Sequence, residues 1–575
     1  MAMAADIADP PGALRATLQL TRLFWWDSDR ASRVRAFSRL ALIVAVLLFR
    51  GKSRIWLSQA KRRETTRLLS GTLDVRSVLE SVLRYVGAVV LLSPVNRLYY
   101  RLFRSLRLEW EEHLTRGFLG CFLEAQCYGH RGGLLDFDDR RRDSLPDQRI
   151  SSDVGKFTSL ATTLGLDTLQ AGIDLYFYAA LLRTLSPALA RTSLIGALVG
   201  TLAVQLLGRD LPSLYAAERS ADGKFTYTLT RMRENAESIL FYGGQRQETA
   251  RADEVLKLRH RTEWDRLAQK DLVQLVGDQY RQVLGLCPAL ILVQFASGAK
   301  DAALLTQANE AFDAVLRALL LFADNCSDFS RLTAVAQELF IYHREQLEAK
   351  EAESEILVQP AEEASGSWLE VAGLTLCFAD RVLVQDLSFS APAEGGLLIS
   401  GPSGSGKTTL LRALAGLWHW GRGSIRLAKH QDCLFLPQRP YMSLGTLRDQ
   451  LLYPNSQVSI EDDALREILM RVGLHSVLKR TGGNLDWTDR WDEQLSIGEQ
   501  QRLSVARVLV QKPLYVLADE VTSANDPAHE EIVYRCIVST CKAFVSVGHR
   551  KSLEAFHQWN LRLKGPDGRW LLEKK

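Results

Sequence analysis

The sequence predicts a multi-domain chain, an α-helical region that spans a membrane followed by a soluble α/β domain. Three observations carry this. Two windows without charge, 192–208 (TSLIGALVGTLAVQLLG) and 282–299 (QVLGLCPALILVQFASGA), each approach the roughly 20 residues a helix needs to cross a bilayer. The stretch 349–367 (AKEAESEILVQPAEEASGS) is acidic and poor in large apolar residues, with Pro360 and Gly366, and reads as a linker. Beyond it, short apolar runs at 396–400, 434–436, 515–518 and 543–547 alternate with helical patterns, the signature of an α/β domain. The expected division is 1–348, linker 349–367, and 368–575.

Further span candidates in the first part are 37–49, 85–95, 157–182 and 302–323, which with the two charge-free windows make about six. Taken singly, each of these four could be the core helix of a soluble protein. Granted a membrane, Asp167, Asp174 and Asp313 become candidates for a translocation path, because exposing a carboxylate to lipid costs several kcal/mol. The basic clusters Lys61-Arg62-Arg63 and Arg140-Arg141-Arg142 flank the spans and favour the cytosolic side. In 224–244, Leu229, Met232, Ala236 and Ile239 recur at helical spacing before Gly243-Gly244, which predicts an amphipathic helix.

Composition excludes some functions. A formal net charge of +4 with interleaved signs argues against a nucleic-acid partner. The eight cysteines include no CxxC pair and read as buried small hydrophobes in reducing surroundings. Residues 1–20 lack the charged start and apolar core of a secretory signal, so the N-terminus gives no address.

The chemistry lies in the second part. Residues 401–409 (GPSGSGKTT) satisfy GxxxxGK[ST] between the apolar run GGLLIS and the helical LLRALAGL. Glycines let the backbone N–H groups of Gly401, Pro402, Ser403, Gly404, Ser405 and Gly406 curl around phosphates, proline excepted as a donor. Lys407 supplies a point charge, and Thr408, followed by Thr409, offers a hydroxyl to Mg²⁺ at a helix start. Downstream, PLYVLADE ends a strand in Asp519, placed to hold the metal through water, and Glu520, placed to orient or deprotonate the attacking water. Gln438 and His549 each follow another short apolar run and are poised to report the state of the γ-phosphate.

These motifs, with LSIGEQQR at 495–502 and the SAND turn at 523–526, resemble the nucleotide-binding domain of ABC transporters. The resemblance implies ATP and Mg²⁺ as cofactors, with Thr408, Gln438 and Asp519 toward the metal and Glu520, His549 and Gln438 as catalytic residues. It implies that Phe378 stacks on adenine, against the alternative of a core phenylalanine. It also implies that Leu495, Ser496, Ile497, Gly498 and Glu499 cap ATP held by the opposite domain, with Asp526 in the adjoining turn. One nucleotide domain per chain then requires a second half-transporter, identical or different.

The motifs at 145–154 (LPDQRISSDV) and 231–244 (RMRENAESILFYGG) are similar to those of subfamily D, the peroxisomal and lysosomal half-transporters and their bacterial relatives. LSIGEQQR looks closer to the lysosomal cobalamin branch than to the fatty acyl-CoA branch, where GGEKQR is usual. Either substrate class, carried by an integral, multi-pass protein of a peroxisomal, lysosomal or plastid membrane or of a bacterial inner membrane, is compatible with the resemblance. In it, Asp147, Gln148 and Arg149 on one long cytosolic helix, and Arg233, Glu234 and Glu237 on another, transmit closure to the spans. Departures are Leu145 for Asn, Ala518 for a bulky apolar residue, and Asn525 for Leu, the last bearing on communication between the two sites. Rival readings are a soluble ABC ATPase acting on ribosomes or DNA repair, which usually carries two nucleotide domains, and a membrane-anchored regulatory ATPase without transport.

Overall fold

A computed structural model describes residues 13–27, 29–69, 75–128, 149–292, 299–351, 355–361, 367–378, 381–418, 420–455, 457–565 and 568–575. The chain divides into two compact units, Met1–Lys350 and Glu351–Lys575.

The first unit is helical among its described residues. Long helices Arg30–Leu69, Val75–Tyr128, Val154–Leu185, Pro187–Leu207, Leu211–Glu234, Gln245–Leu284, Ala299–Leu319 and Cys326–Glu351 carry the expected span segments. By length and composition, one described helical stretch, Pro187–Glu234, is apolar enough to cross a membrane. Its first half exposes Leu194, Ile195, Leu198, Val199, Leu202 and Leu206 on one side. On the other side Gly196 faces Leu284 and Gly200 faces Tyr280, whose hydroxyl donates to the Gly196 carbonyl at 2.5 Å. Two glycines four apart let a second helix approach this closely.

The window 282–299 is not one helix. The helix Gln245–Leu284 ends on Gly285, whose N–H reaches the Arg281 carbonyl at 2.9 Å, and a short helix, Cys287–Leu292, follows. Gly285 and Pro288, which has no N–H to continue the ladder, account for the break. Residues 293–298 lie outside the described residues. The helix expected across 224–242 likewise breaks at Asn235, whose side chain donates to the Arg231 carbonyl at 2.9 Å. The short helix Ala236–Phe241 that follows buries no residue, so its apolar face is not packed as the spacing suggested.

Several charged groups described in this unit are paired. Asp174 accepts from Arg54 and Gln170, each at 2.9 Å, and Asp313 accepts from Arg317 one turn away at 2.7 Å. Glu310 meets Ser58 at 3.1 Å and Lys61, tying Arg30–Leu69 to Ala299–Leu319. A second knot joins Asp153, its side chain 2% exposed, to Arg219, which also reaches Glu338 at 3.3 Å. Arg149 lies in the same short π-helix as Asp153, with its guanidinium 5.3 Å from the centre of the Tyr342 ring. Asp147, Gln148 and Leu145 fall outside the described residues.

Among its described residues the second unit holds ten strands: β1 (Ile356–Pro360), β2 (Leu369–Phe378), β3 (Arg381–Ser390), β4 (Gly395–Ser400), β5 (Gly421–Leu427), β6 (Cys433–Leu436), β7 (Tyr515–Asp519), β8 (Ala543–Val547), β9 (Trp559–Leu563) and β10 (Trp570–Lys574). A four-stranded sheet runs β1-β5-β2-β3, and a six-stranded sheet runs β10-β9-β4-β8-β7-β6. The stretch expected as linker, 349–367, therefore contains a strand. Ile356 is buried in the core, and β1 pairs in parallel with β5, a partner remote in sequence.

In the larger sheet β9, β4, β8, β7 and β6 are parallel. Strands covered on both faces need continuous apolar runs, as in AFVSV, every residue of which is buried. Parallel order brings the carboxyl ends of β4, β6, β7 and β8 to one edge, the crevice where such sheets bind ligands.

Candidate active site

The loop leaving β4 has Gly401, Gly404 and Gly406 at φ +148°, +75° and +91°. Side chains strain such a backbone, and a Cβ on Gly401 would stand 2.5 Å from the Leu563 carbonyl oxygen. The loop delivers its donors to the start of the helix Lys407–Leu414. Lys407 Nζ donates to the carbonyls of Gly401 at 3.1 Å and Pro402 at 2.9 Å, holding the loop in a ring. Burial lowers the Lys407 ammonium from its usual pKa, while Glu520 and Asp519 act to raise it. Ser405 Oγ is buried with no hydrogen-bond partner among the described residues.

At the end of β7, Asp519 is buried and accepts from Thr408 Oγ1 at 3.3 Å. Burial pushes its carboxyl above the ordinary range, against the opposing pull of the Thr408 bond. The next residue, Glu520, adopts φ +46°, unusual for a side chain with a Cβ, and its N–H is held by the Val547 carbonyl at 3.1 Å. Its carboxylate accepts from Gln438 Nε2 at 2.9 Å through one oxygen and lies 3.4 Å from His549 Nε2 through the other. Two residues that follow β6 and β8 thus meet on the carboxylate of the residue that follows β7.

The helix Ile497–Gln511 opens on a reciprocal cap. Ser496 Oγ accepts from the Glu499 N–H at 3.2 Å, and Glu499 Oε2 accepts from the Ser496 N–H at 3.0 Å. The other Glu499 oxygen accepts from Ser476 and Arg480, each at 2.8 Å. Burial works to raise this carboxyl, yet the bonds from Ser496, Ser476 and Arg480 leave it below its usual value. Leu495 is buried and Ile497 exposed. Gly498 lies against the turn, where a Cβ would meet the Ala524 carbonyl at 2.9 Å. Asp526 caps the helix Pro527–Thr540 by accepting from the His529 N–H at 2.8 Å, a bond that lowers its pKa.

Phe378 does not touch the loop in any contact described. It sits among Trp418 and Trp420, with ring centres 6.0 and 5.9 Å away. Sequence reasoning gave no part to Gln501, Arg502 or Arg550, which tie the turn 523–525 to the site. Arg550 donates to the Asn525 and Ser523 carbonyls at 2.9 and 3.3 Å. The usable signal was position: Gln501 and Arg502 lie inside LSIGEQQR, and Arg550 follows His549.

A hydroxyl and a carboxylate oxygen 3.3 Å apart at a helix start suit a hard divalent cation such as Mg²⁺, which takes one or two protein oxygens and completes its shell with phosphate and water. The unpartnered Ser405 hydroxyl and the ring of loop amides suit phosphate.

Comparison with known proteins agrees. The family model for ABC transporter transmembrane region 2 matches residues 31–292, and that for ABC transporter matches residues 384–523. An uncharacterized ABC transporter ATP-binding protein of Synechocystis sp. is 35% identical over 502 residues, covering 84% of this chain and 74% of that protein. ABC transporter D family member 2, chloroplastic, of Arabidopsis thaliana is 31% identical over 535 residues, covering 80% and 74%. The lysosomal cobalamin transporter ABCD4 of Mus musculus is 29% identical over 540 residues, covering 88% of each chain. A bacterial Atm1-family ABC exporter solved with ATP bound shares the fold, with a TM-score of 0.76 at 18% identity over 94% of this chain and 95% of that one. With one membrane region and one ATPase domain, this chain belongs to the ABC transporters, as a half-transporter of their subfamily D.

Proposed function

We propose that two copies, or this chain and a related half-transporter, form a multi-pass membrane transporter that moves a small amphipathic substrate of the cobalamin class at the expense of ATP. The single observation behind the catalytic part is the convergence of Gln438 and His549 on Glu520, beside the Thr408–Asp519 pair. In this reading residues 1–348 lie in and below the membrane, the exposed leucines of Pro187–Leu207 face lipid, and 368–575 forms the ATPase. Strand β1 makes part of the 349–367 connection belong to the sheet of that ATPase.

The residues of the loop 401–406 bind the phosphates through backbone amides, with Thr409 next to them on the helix. Lys407 exchanges its carbonyl partners for phosphate oxygens, so its charge is spent on the ligand only when ATP is present. Thr408, Gln438 and Asp519 would hold Mg²⁺, which when bound would neutralise phosphate charge. Glu520 takes a proton from the attacking water, while His549 and Gln438 keep its carboxylate aimed. Phe378 offers its ring to adenine from the Trp418–Trp420 cluster. Leu495 to Glu499 cap the nucleotide of the opposite copy, so binding closes the pair and hydrolysis reopens it.

A fatty acyl-CoA substrate, the other class compatible with the subfamily resemblance of the motifs at 145–154 and 231–244, is the alternative. The test is ATPase activity of the protein in liposomes, beside Glu520→Gln, with cobalamin and a long-chain acyl-CoA added separately. Stimulation by cobalamin alone, absent in the variant, supports the reading. Stimulation by acyl-CoA alone replaces the substrate, and hydrolysis indifferent to both points to a regulatory ATPase.

A further inference from the structure

The carboxamide of Gln501 is 0% exposed and reaches Gln438, Glu520 and the turn 523–525. Its Nε2 lies 3.0 Å from Ser523 Oγ, 3.4 Å from the Gln438 carbonyl and 3.4 Å from the Glu520 carbonyl. Its Oε1 accepts from the Ala524 N–H at 3.1 Å and from Asn525 Nδ2 at 3.2 Å. An amide has two N–H donors and two acceptor lone pairs, so this group is used to capacity in a place water does not enter.

The two carbonyls it reaches belong to Gln438 and Glu520, whose side chains bond each other at 2.9 Å. The clamp therefore sets the separation of the two backbones from which that bond is made. It also bears on a backbone, Glu520 at φ +46°, that persists only where its surroundings over-determine it. Asn525 closes the arrangement: besides donating to Gln501 it accepts from Arg502 Nη1 at 2.8 Å, so it bridges two consecutive residues of the helix Ile497–Gln511. A leucine there could do neither.

We propose that Gln501 is a positioning residue for ATP hydrolysis, holding Glu520, Gln438 and the turn 523–525 in one frame, and that Asn525 is adapted to this clamp. The proposal rests on the roles given above to Glu520 and Gln438. Hydrolysis, more than nucleotide binding, depends on the clamp, because none of its contacts is to the phosphate loop.

The test uses the full-length protein with MgATP and the variants Gln501→Met, Asn525→Leu and Glu520→Gln, singly and as the pair Gln501→Met/Glu520→Gln. Displacing a catalytic group by about an ångström costs roughly 100-fold, so Gln501→Met is expected to lower kcat roughly 10- to 100-fold with KM held within about twofold. Asn525→Leu, which removes one donor and one acceptor of the set, is expected to lower kcat roughly threefold to tenfold. In the Glu520→Gln background, Gln501→Met is expected to add less than about twofold, since groups acting as one unit are not additive.

Unchanged kcat in Gln501→Met overturns the proposal. So does a parallel loss of kcat, KM and thermal midpoint, which marks a merely structural residue, and so does a full additive loss in the pair. If Gln501→Met does not fold, Asn525→Leu carries the same split and unchanged kcat there overturns it. Glu520→Gln turning over at the wild-type rate would instead sink the underlying assignment of the base, and the positioning role with it.

Discussion

Asp519→Asn should make the nucleotide-free protein more stable while abolishing its work. Asp519 is 5% exposed, and among the described residues its side chain accepts one long bond, from Thr408, so folding places a carboxylate where burial disfavours the charge. Its pKa is raised by that burial. The folded state then holds the proton more tightly than the unfolded chain, and stability falls as pH rises through the interval between the two pKa values. The deficit is complete above the folded value and vanishes below the unfolded one, near the usual value of about 3.9. Asparagine keeps the shape, can still accept from Thr408, and carries no charge. Relief of a strained functional group typically yields about 0.5–2 kcal/mol. For the unit Glu351–Lys575 each kcal/mol corresponds to roughly 2–4 °C, giving a rise of about 1–8 °C at pH 8. The assay is thermal unfolding of the full chain in detergent, wild type beside variant, from pH 8 down to the ordinary aspartate value of about 3.9, without and then with MgATP. The gap should narrow toward acid, and MgATP should stabilise the wild type more than the variant. A variant less stable than wild type at pH 8, or a gap that widens on acidification, refutes the reasoning.

Other expectations concern separate parts of the molecule. Glu520→Gln should reduce hydrolysis at least roughly 100-fold and accumulate a closed, ATP-bound dimer on size exclusion; a monomeric variant turning over normally would contradict the scheme. Arg219→Leu leaves Asp153 buried without its main cation and should cost about 3–5 kcal/mol, with much of the loss recovered by adding Asp153→Asn; equal thermal midpoints for wild type and single variant would dismiss the pair as a structural tie. Gly401→Ala drives a Cβ to 2.5 Å from a backbone oxygen at φ +148°, and should lower stability by about 1–3 kcal/mol and abolish nucleotide binding, as read by thermal shift and a fluorescent ATP analogue.

What could be read from the sequence was what is local. GPSGSGKTT, PLYVLADE and LSIGEQQR each carry their structure in consecutive residues, and the strand-loop-helix order followed from them. The windows 37–49, 85–95 and 157–182 each fall within one helix, whereas 302–323 runs past the helix end at Leu319 and 282–299 crosses a break at Gly285 and Pro288 that was visible in the letters and outweighed by the mean hydropathy of the stretch. Strand β1 was hidden because a short run among acidic residues is a strand only by virtue of β5. The same is true of Asp174, whose cation Arg54 stands on another helix, whereas Asp313 meets Arg317 one turn away on its own helix. Gln501 escaped for the opposite reason, lying inside a recognised motif but pointing to partners from two other loops.

The helix that begins after Ser496 already has an anion at its positive pole, because Glu499 occupies the capping position and Arg480 balances it. A phosphate brought to that pole by another molecule enters a contest between anions. Under the proposed capping in trans, two copies that hold no nucleotide would have little electrostatic reason to adhere at this surface, and the guanidinium of Arg480 would tune how much ligand charge is needed before they do.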